Sequence, residues 1–486
     1  MRSGISSECT GGPYFWTMPS TAVVWLRRDL RLHDHPALSA AASEHDHVIP
    51  LFVLDARLLQ GRFASGPRTA FMLGSLRELD AELRRRGGAL CVRSGRPEEV
   101  VARVAREAGA AAVHWTSDVS PFARRRDAAV TQALRAAGIT PCPHGGSYCA
   151  DVSLPRTSSG RPLTVFTPFW RAWERLERRE VLGAPARVPF PDGLDPGALP
   201  DRPRLADELP SPFCEPGEVA ARAALAAWLD GPIDRYAERH DDLTGGSSGL
   251  SAYLRWGSIS AREAEARAHE RGGTGAEAFV RQLAWRDFYA HVLLTHPASA
   301  RPELQERYRG MAWDDDPELL AAWQEGRTGY PLVDAGMRQL AATGWMHNRA
   351  RMVVGSFLTK DLHLDWRRGE AWFERLLLDA EPAQNNGNWQ WVASTGVDPA
   401  PYFRRIFNPV LQQRRFDPGG AYVRRWVPEL RAVPDERLAE PWTMSAAEQQ
   451  AAGCRIGRDY PAPIVDHALE RRVAIERYRA AHAERP

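Results

Sequence analysis

Four short, almost wholly apolar runs, at residues 22–26, 48–54, 89–92 and 111–115, alternate with helix-length patterns at 68–86, 97–108 and 123–137. A strand that is apolar on both faces has to be covered on both faces, and interleaved helices do this over a parallel sheet. Residues 22–150 therefore read as a doubly wound, Rossmann-like α/β domain. The polar, aperiodic residues 1–21 before it are expected to be a disordered or non-native extension, with Met18 as the natural start. After the first strand comes Arg27-Arg28-Asp29-Leu30-Arg31 in place of G-x-G-x-x-G, so any ligand of this domain is held in some other way.

Residues 151–217 are rich in Pro, Gly and Ser and read as a long linker, interrupted by an aromatic helix candidate at 168–179. From 218 to 486 the pattern offers only helices, at 218–229, 276–294, 331–344, 347–362, 370–378 and 468–481. A length of 486 residues suits such a two-domain chain. The charge balance, 63 basic against 61 acidic residues, excludes a global field that demands a polyanion, though not a local basic groove. Lys360 is the only lysine. Six cysteines with no C-x-x-C pair indicate neither a disulfide framework nor a metal site. With no apolar run of spanning length and no secretion signal, a cytoplasmic protein without membrane attachment is expected.

The densest chemistry lies at 379–391, Asp-Ala-Glu-Pro-Ala-Gln-Asn-Asn-Gly-Asn-Trp-Gln-Trp. Amides and acids beside two tryptophans suit a pocket for a flat heterocycle; a polar helix start followed by two core tryptophans suits the pattern equally well. The small residues at 243–256 open a helix in the way a phosphate requires, or simply cap it. Gln282, Trp285 and Tyr289 share a helix face, with Arg286 beside them, as in a nucleobase pocket or an ordinary core stripe. Asn348 and Met352 stand at i and i+4, and Arg351 is within reach of a carboxylate such as Asp379.

With Trp25-Leu-Arg-Arg-Asp-Leu-Arg-Leu-His-Asp, Trp285-Arg-Asp-Phe-Tyr, Gly344-Trp-Met-His-Asn-Arg-Ala-Arg-Met, Ala383-Gln-Asn-Asn-Gly-Asn-Trp-Gln-Trp and Asp398-Pro-Ala-Pro-Tyr-Phe-Arg in this order, the chain resembles the photolyase/cryptochrome family over about residues 22–480. The likeness is greatest to class I photolyases of cyclobutane pyrimidine dimers. It implies FAD in the helical domain, with Tyr236, Ser247, Ser248, Gly249, Leu250 and Ser251 on its phosphates and ribityl chain. Arg286, Asn348, Arg351, Asp379, Ala380 and Glu381 would complete the cofactor site, and Asn385 would face the flavin N5. Trp389, Trp366 and Trp313 match the family's electron chain from cofactor to surface.

The resemblance further implies UV-damaged DNA as partner, read without sequence preference, by a monomer. The damaged pair would be flipped out and clamped by Trp285 and Trp391, with Gln282, Asn348, Arg349 and Met352 in contact. Light-excited reduced FAD would donate an electron, the ring would split, and the electron would return. Arg349, Arg404 and Arg405 are expected to meet phosphates. Residues 115–127 look like the segment that binds an 8-hydroxy-5-deazaflavin antenna, with Asp118 as the contact; methenyltetrahydrofolate is the alternative pigment.

Two positions depart from the dimer-repair pattern. Gln282 stands where Glu is frequent, and Glu381 where Asp is usual, so Glu381 either shifts its backbone or changes its hydrogen-bond partner. A (6-4) photolyase would carry two histidines where this chain has Asn348 and Met352. A cryptochrome-type light sensor is the other alternative. Such proteins commonly carry a long signalling tail, whereas here the last helix pattern ends near residue 481.

Overall fold

The computed structural model describes residues 19–62, 64–201, 209–397 and 400–483. Met18, the extension before it, and Asp398 and Pro399 of the last motif lie outside the described residues.

The α/β half runs β1 (Thr21–Leu26), α1 (Pro36–Glu44), β2 (His47–Leu54), α2 (Gly66–Arg84), β3 (Cys91–Ser94), α3 (Pro97–Glu107), β4 (Ala112–Thr116), α4 (Pro121–Ala136) and β5 (Thr140–His144). All strand pairs are parallel, in the order β3-β2-β1-β4-β5. Helices α1 and α2 bury Leu38, Leu73 and Leu76 on one face, and α3 and α4 bury Val101, Val104 and Leu134 on the other. Two helix starts are written in sequence: Ser65 and Ser120 accept from the N–H three residues on, with Pro67 and Pro121 in the first turn. β5 does not show in the apolar pattern because Pro141 and Pro143 argue against a strand. As the edge strand it needs a ladder on one side only, so the missing N–H groups cost nothing there.

The linker threads along both domains. Val48 and Val92 donate to Pro189 and Pro196 carbonyls at 2.8 and 2.7 Å, and Ser211 and Phe213 donate to Ala342 and Thr343 at 3.0 and 3.1 Å. Its helix, α5 (Phe166–Trp173), ends earlier than the pattern suggests. Arg178 folds back onto the Trp173 and Leu176 carbonyls, at 3.1 and 2.7 Å, and satisfies the free end.

The second half is helical: α6 (Glu218–Leu229), α7 (Ser251–Trp256), α8 (Thr274–Thr295), α9 (Pro331–Thr343), α10 (Asn348–Ser356), α11 (Trp366–Leu376), α12 (Pro382–Val392) and α13 (His467–Ala483) position the site. The single helix expected at 347–362 becomes α10 followed by a widened π turn, Phe357–Asp361. That turn buries Lys360, whose Nζ donates to the Val392 carbonyl, Ser394 Oγ and the Arg405 carbonyl at 2.6, 2.9 and 3.3 Å. Burial, followed by the nearby Arg405, holds its pKa far below the usual lysine value.

One core runs from the α1/α2 face of the sheet into α6, α7 and α8, so the two halves share apolar packing. A separate core unites α9 to α12. Among the described residues all five cysteines are free, and no helix is long and apolar enough to cross a membrane.

Candidate cofactor and catalytic site

α12 carries the stretch at 379–391. Glu381 caps it, with Oε2 accepting from the Gln384 N–H at 3.0 Å, and Pro382 occupies its first turn. The helix then presents Asn385, Trp389 and Trp391 to a cavity closed from α10 by Asn348, Arg351 and Met352. The cavity opens to solvent and has a volume of about 100 Å³. On α10, Asn348 Nδ2 lies 3.8 Å from Met352 Sδ, as the i, i+4 spacing requires.

Arg351 forks onto Asp379, with Nη1 to Oδ1 at 3.1 Å and Nη2 to Oδ2 at 2.7 Å. Its Nε donates to the Met346 carbonyl at 2.7 Å, which fixes the plane of the fork. Asn385 spends its Nδ2 on the Glu370 carbonyl and Glu374 Oε2, at 3.0 and 3.3 Å. The group it has left to offer the cavity is its carbonyl oxygen.

Trp389 is 3% exposed and Trp366 is fully buried, whereas Trp313 is only partly buried. The Trp389 ring presses on Gly369, one turn into α11 from Trp366: a Cβ on Gly369 would stand 2.0 Å from the ring. Trp313 reaches the same place through a backbone bridge, Asp314 N–H to the His363 carbonyl at 2.9 Å. Chain neighbours of Trp366 thus touch the Trp389 ring at Gly369 and the segment next to Trp313 at His363. Trp323, unassigned by sequence, packs edge-on to Trp389 at 6.2 Å.

The α/β domain enters this site directly. β1 is the point where the strand order reverses, so the crevice beyond its carboxyl end is where such folds hold ligands. Arg28 occupies that crevice. Its guanidinium lies 2.7 Å from Asp118 Oδ2 and 2.9 Å from Glu381 Oε1. Burial alone would depress the Arg28 pKa and raise that of Asp118; the paired charges reverse both shifts, keeping the pair ionised. This resolves the Glu381 departure: the extra methylene lets one oxygen cap α12 while the other crosses to Arg28.

Arg68 of α2 makes a second crossing, with Nη2 at 3.1 Å from Glu374 Oε1. Arg255 donates its Nε to the Ala380 carbonyl at 2.5 Å, while its buried Nη1 has no partner. Burial, then Arg28 and Arg68, lowers the Arg255 pKa to about 9. Asp118, Glu381 and Glu374 offset Arg28 and Arg68, and the Arg255 Nη1 is the donor left over for a ligand acceptor.

Other residues expected at the site stand outside this cavity lining. Trp285 lies face to face with Phe166 at 3.7 Å, and Gln282 is exposed on the same helix. Arg286 donates to the Ser147 and Leu254 carbonyls at 2.7 and 3.3 Å and covers the Tyr148 ring. Tyr236 packs edge-on against Trp228 and Phe279. Ser247, Ser248, Gly249 and Leu250 form an open turn into α7, with Gly249 at φ +66°, and Ser251 Oγ lies 3.2 Å from Trp345 Nε1. Asp118 is no free contact, since Oδ1 accepts from the Ser120 N–H at 2.9 Å and Oδ2 faces Arg28. Arg349 pairs with Asp241 at 2.7 Å, Arg404 is exposed, and Arg405 is buried with its guanidinium over Trp391 at 4.2 Å.

Residues 22–191 match the family described as DNA photolyase, and residues 279–480 match the FAD binding domain of DNA photolyase. The chain belongs to the photolyase/cryptochrome family. It is 45% identical over 463 residues to the deoxyribodipyrimidine photo-lyase of Streptomyces griseus, covering 95% of this chain and 99% of that one. Among solved structures it is similar to a bacterial class III photolyase from Agrobacterium tumefaciens, with TM-score 0.88, 35% identity, and 98% and 99% of the two chains covered. It is also similar to a Synechocystis cryptochrome, with TM-score 0.87, 30% identity, and coverage of 95% and 99%. Membership in this family makes the helical half an FAD-binding domain.

The motifs led to Asp379, Arg351, Asn385 and Trp389, but not to Arg28, Arg68 or Glu374. Arg28 had a signal: an arginine pair at the end of the first strand of a doubly wound sheet stands at the switch point. Arg68 and Glu374, 306 residues apart in sequence, had none.

Proposed function

We propose that this protein is a light-driven repair enzyme for cyclobutane pyrimidine dimers in DNA, with 22–150 as antenna domain, 151–217 as linker and 218–486 as catalytic domain. The observation that carries the reading is the Arg351–Asp379 fork in one cavity wall with Asn385 and Trp389; Trp389, Trp366 and Trp313 would carry electrons from there to the surface. The residues fit FAD: amides and a fixed ion pair for the ring edge, and an orphaned Arg255 donor for a ligand acceptor. When bound, photoexcited reduced FAD supplies one electron to the dimer and recovers it after the ring splits.

The protein's own groups then have defined tasks. Arg351 and Asp379 would hold the ring edge, and the Asn385 carbonyl oxygen would meet N5 and favour the N–H form there. Tyr236 and residues 247–251 take the phosphates and ribityl chain, and Arg286, Asn348, Ala380 and Glu381 close the site. Trp391, braced by Arg405, and Trp285, braced by Phe166, flank the flipped bases, while Gln282, Asn348, Arg349 and Met352 contact the lesion. Arg404 and Arg349 meet backbone phosphates, so affinity is independent of sequence and falls with salt.

The antenna is assigned as 8-hydroxy-5-deazaflavin, with methenyltetrahydrofolate as the alternative. It would meet the Arg28–Asp118 pair, not a lone carboxylate. The molecule is read as a cytoplasmic monomer of the class I type. Stoichiometric FAD in the purified protein, and repair of dimer-containing DNA only under illumination, is the test.

A further inference from the structure

A cluster of histidines lies in the α/β domain with no part in the flavin chemistry. Helix α1 starts beside the crevice and ends eight residues later at Glu44, about 12 Å toward the amino ends of the strands. There Glu44, its neighbour His45 and His114 of β4 bring one possible ligand atom each to within 4.8 Å of one another. His114 is 1% exposed, His45 is half-buried and Glu44 is exposed, so the cluster opens to solvent on one side only.

Two nitrogens here are buried without any partner: His114 Nε2 and His45 Nδ1. His114 Nδ1 lies 3.0 Å from His144 Nε2, and the two rings stack at 5.2 Å. One hydrogen serves that contact. Whichever ring donates it, His114 Nε2 is left as an orphan, at a cost of about 1–3 kcal/mol. An electrophile on Nε2 removes that cost when the Nδ1–H donates to His144, the arrangement in which ligating histidines are normally fixed.

We propose that Glu44, His45 and His114 bind a divalent transition-metal ion of the zinc type, with His144 as the residue that orients His114. Two imidazoles and one carboxylate suit Zn²⁺, and three protein ligands leave a position for water. The ion joins the end of α1 to β4 and leaves the flavin site untouched. No spacing motif announces it, because His114 lies 69 positions beyond His45.

The test uses the full-length, flavin-bound protein, stripped with chelator and titrated with Co²⁺ and, separately, with Zn²⁺. One ion per chain and the visible absorption of four- or five-coordinate Co²⁺ are expected. Glu44→Gln, at an exposed helix end where folding is not at stake, and His114→Ala each weaken binding by more than the roughly 10–100-fold expected of His144→Phe. Absence of stoichiometric binding, or equal binding by wild type, Glu44→Gln and His114→Ala, would overturn the proposal.

Discussion

Arg28, at the carboxyl end of β1, reaches 2.9 Å across the domain boundary to Glu381, the residue that caps α12. A single guanidinium thus ties Asp118 of the α/β domain to the helix that carries Asn385 and Trp389. Arg28→Ala leaves two largely buried carboxylates without their cation, and about 3 kcal/mol of stability is expected to be lost. Arg28→Lys recovers only part, since a point charge cannot fork between two acids. Chemical denaturation and FAD retention on gel filtration check both.

Gly369→Ala places a Cβ 2.0 Å from the Trp389 ring, so the ring or α11 has to move. A cost of about 1–3 kcal/mol is expected from this overpacking, with slower flavin photoreduction. A variant as stable and as photoreducible as wild type would mean that Trp389 does not pack there.

Trp366→Phe removes the middle member of the proposed tryptophan chain without opening a large cavity. Photoreduction of oxidised flavin is expected to fall by an order of magnitude or more, whereas repair by chemically pre-reduced protein is retained. Equal losses in both assays would instead place Trp366 in binding or folding.

Asp287 is fully buried, and burial pushes its pKa up to about 7, although Trp173 Nε1 and the Cys149 N–H donate to Oδ2 at 2.9 and 3.1 Å. Its Oδ1 has no partner. The folded state therefore holds a proton that the unfolded chain has released, and this group subtracts stability as pH rises from about 4 to about 7, by at most ~1.4 kcal/mol per pH unit. Asp287→Asn removes that slope: the difference in stability between variant and wild type should grow with pH across this window and then level off. A difference that does not change with pH would show that Asp287 titrates normally.

Much of the architecture was legible because it rests on local periodicity. The apolar runs marked β1 to β4, and the stretch at 218–229 matched α6 residue for residue. β5 was masked by its prolines, which only an edge position tolerates, and the π turn at Lys360 was invisible because it depends on acceptors 32 to 45 residues away. The site divided in the same way. Arg351 and Asp379 announced themselves by motif, whereas the Arg28 and Arg68 crossings exist only once two domains have docked. Glu381 shows both sides: its oddity was visible in sequence, and its cause, a partner 353 residues away, was not.

The most direct measurement is blue-light repair of an oligonucleotide carrying one thymine cyclobutane dimer, with a (6-4) oligonucleotide in parallel and Trp285→Ala as control. The account predicts repair of the dimer alone, lost in the variant. Repair of neither lesion by a protein whose flavin still photoreduces would contradict it and leave a light sensor in its place.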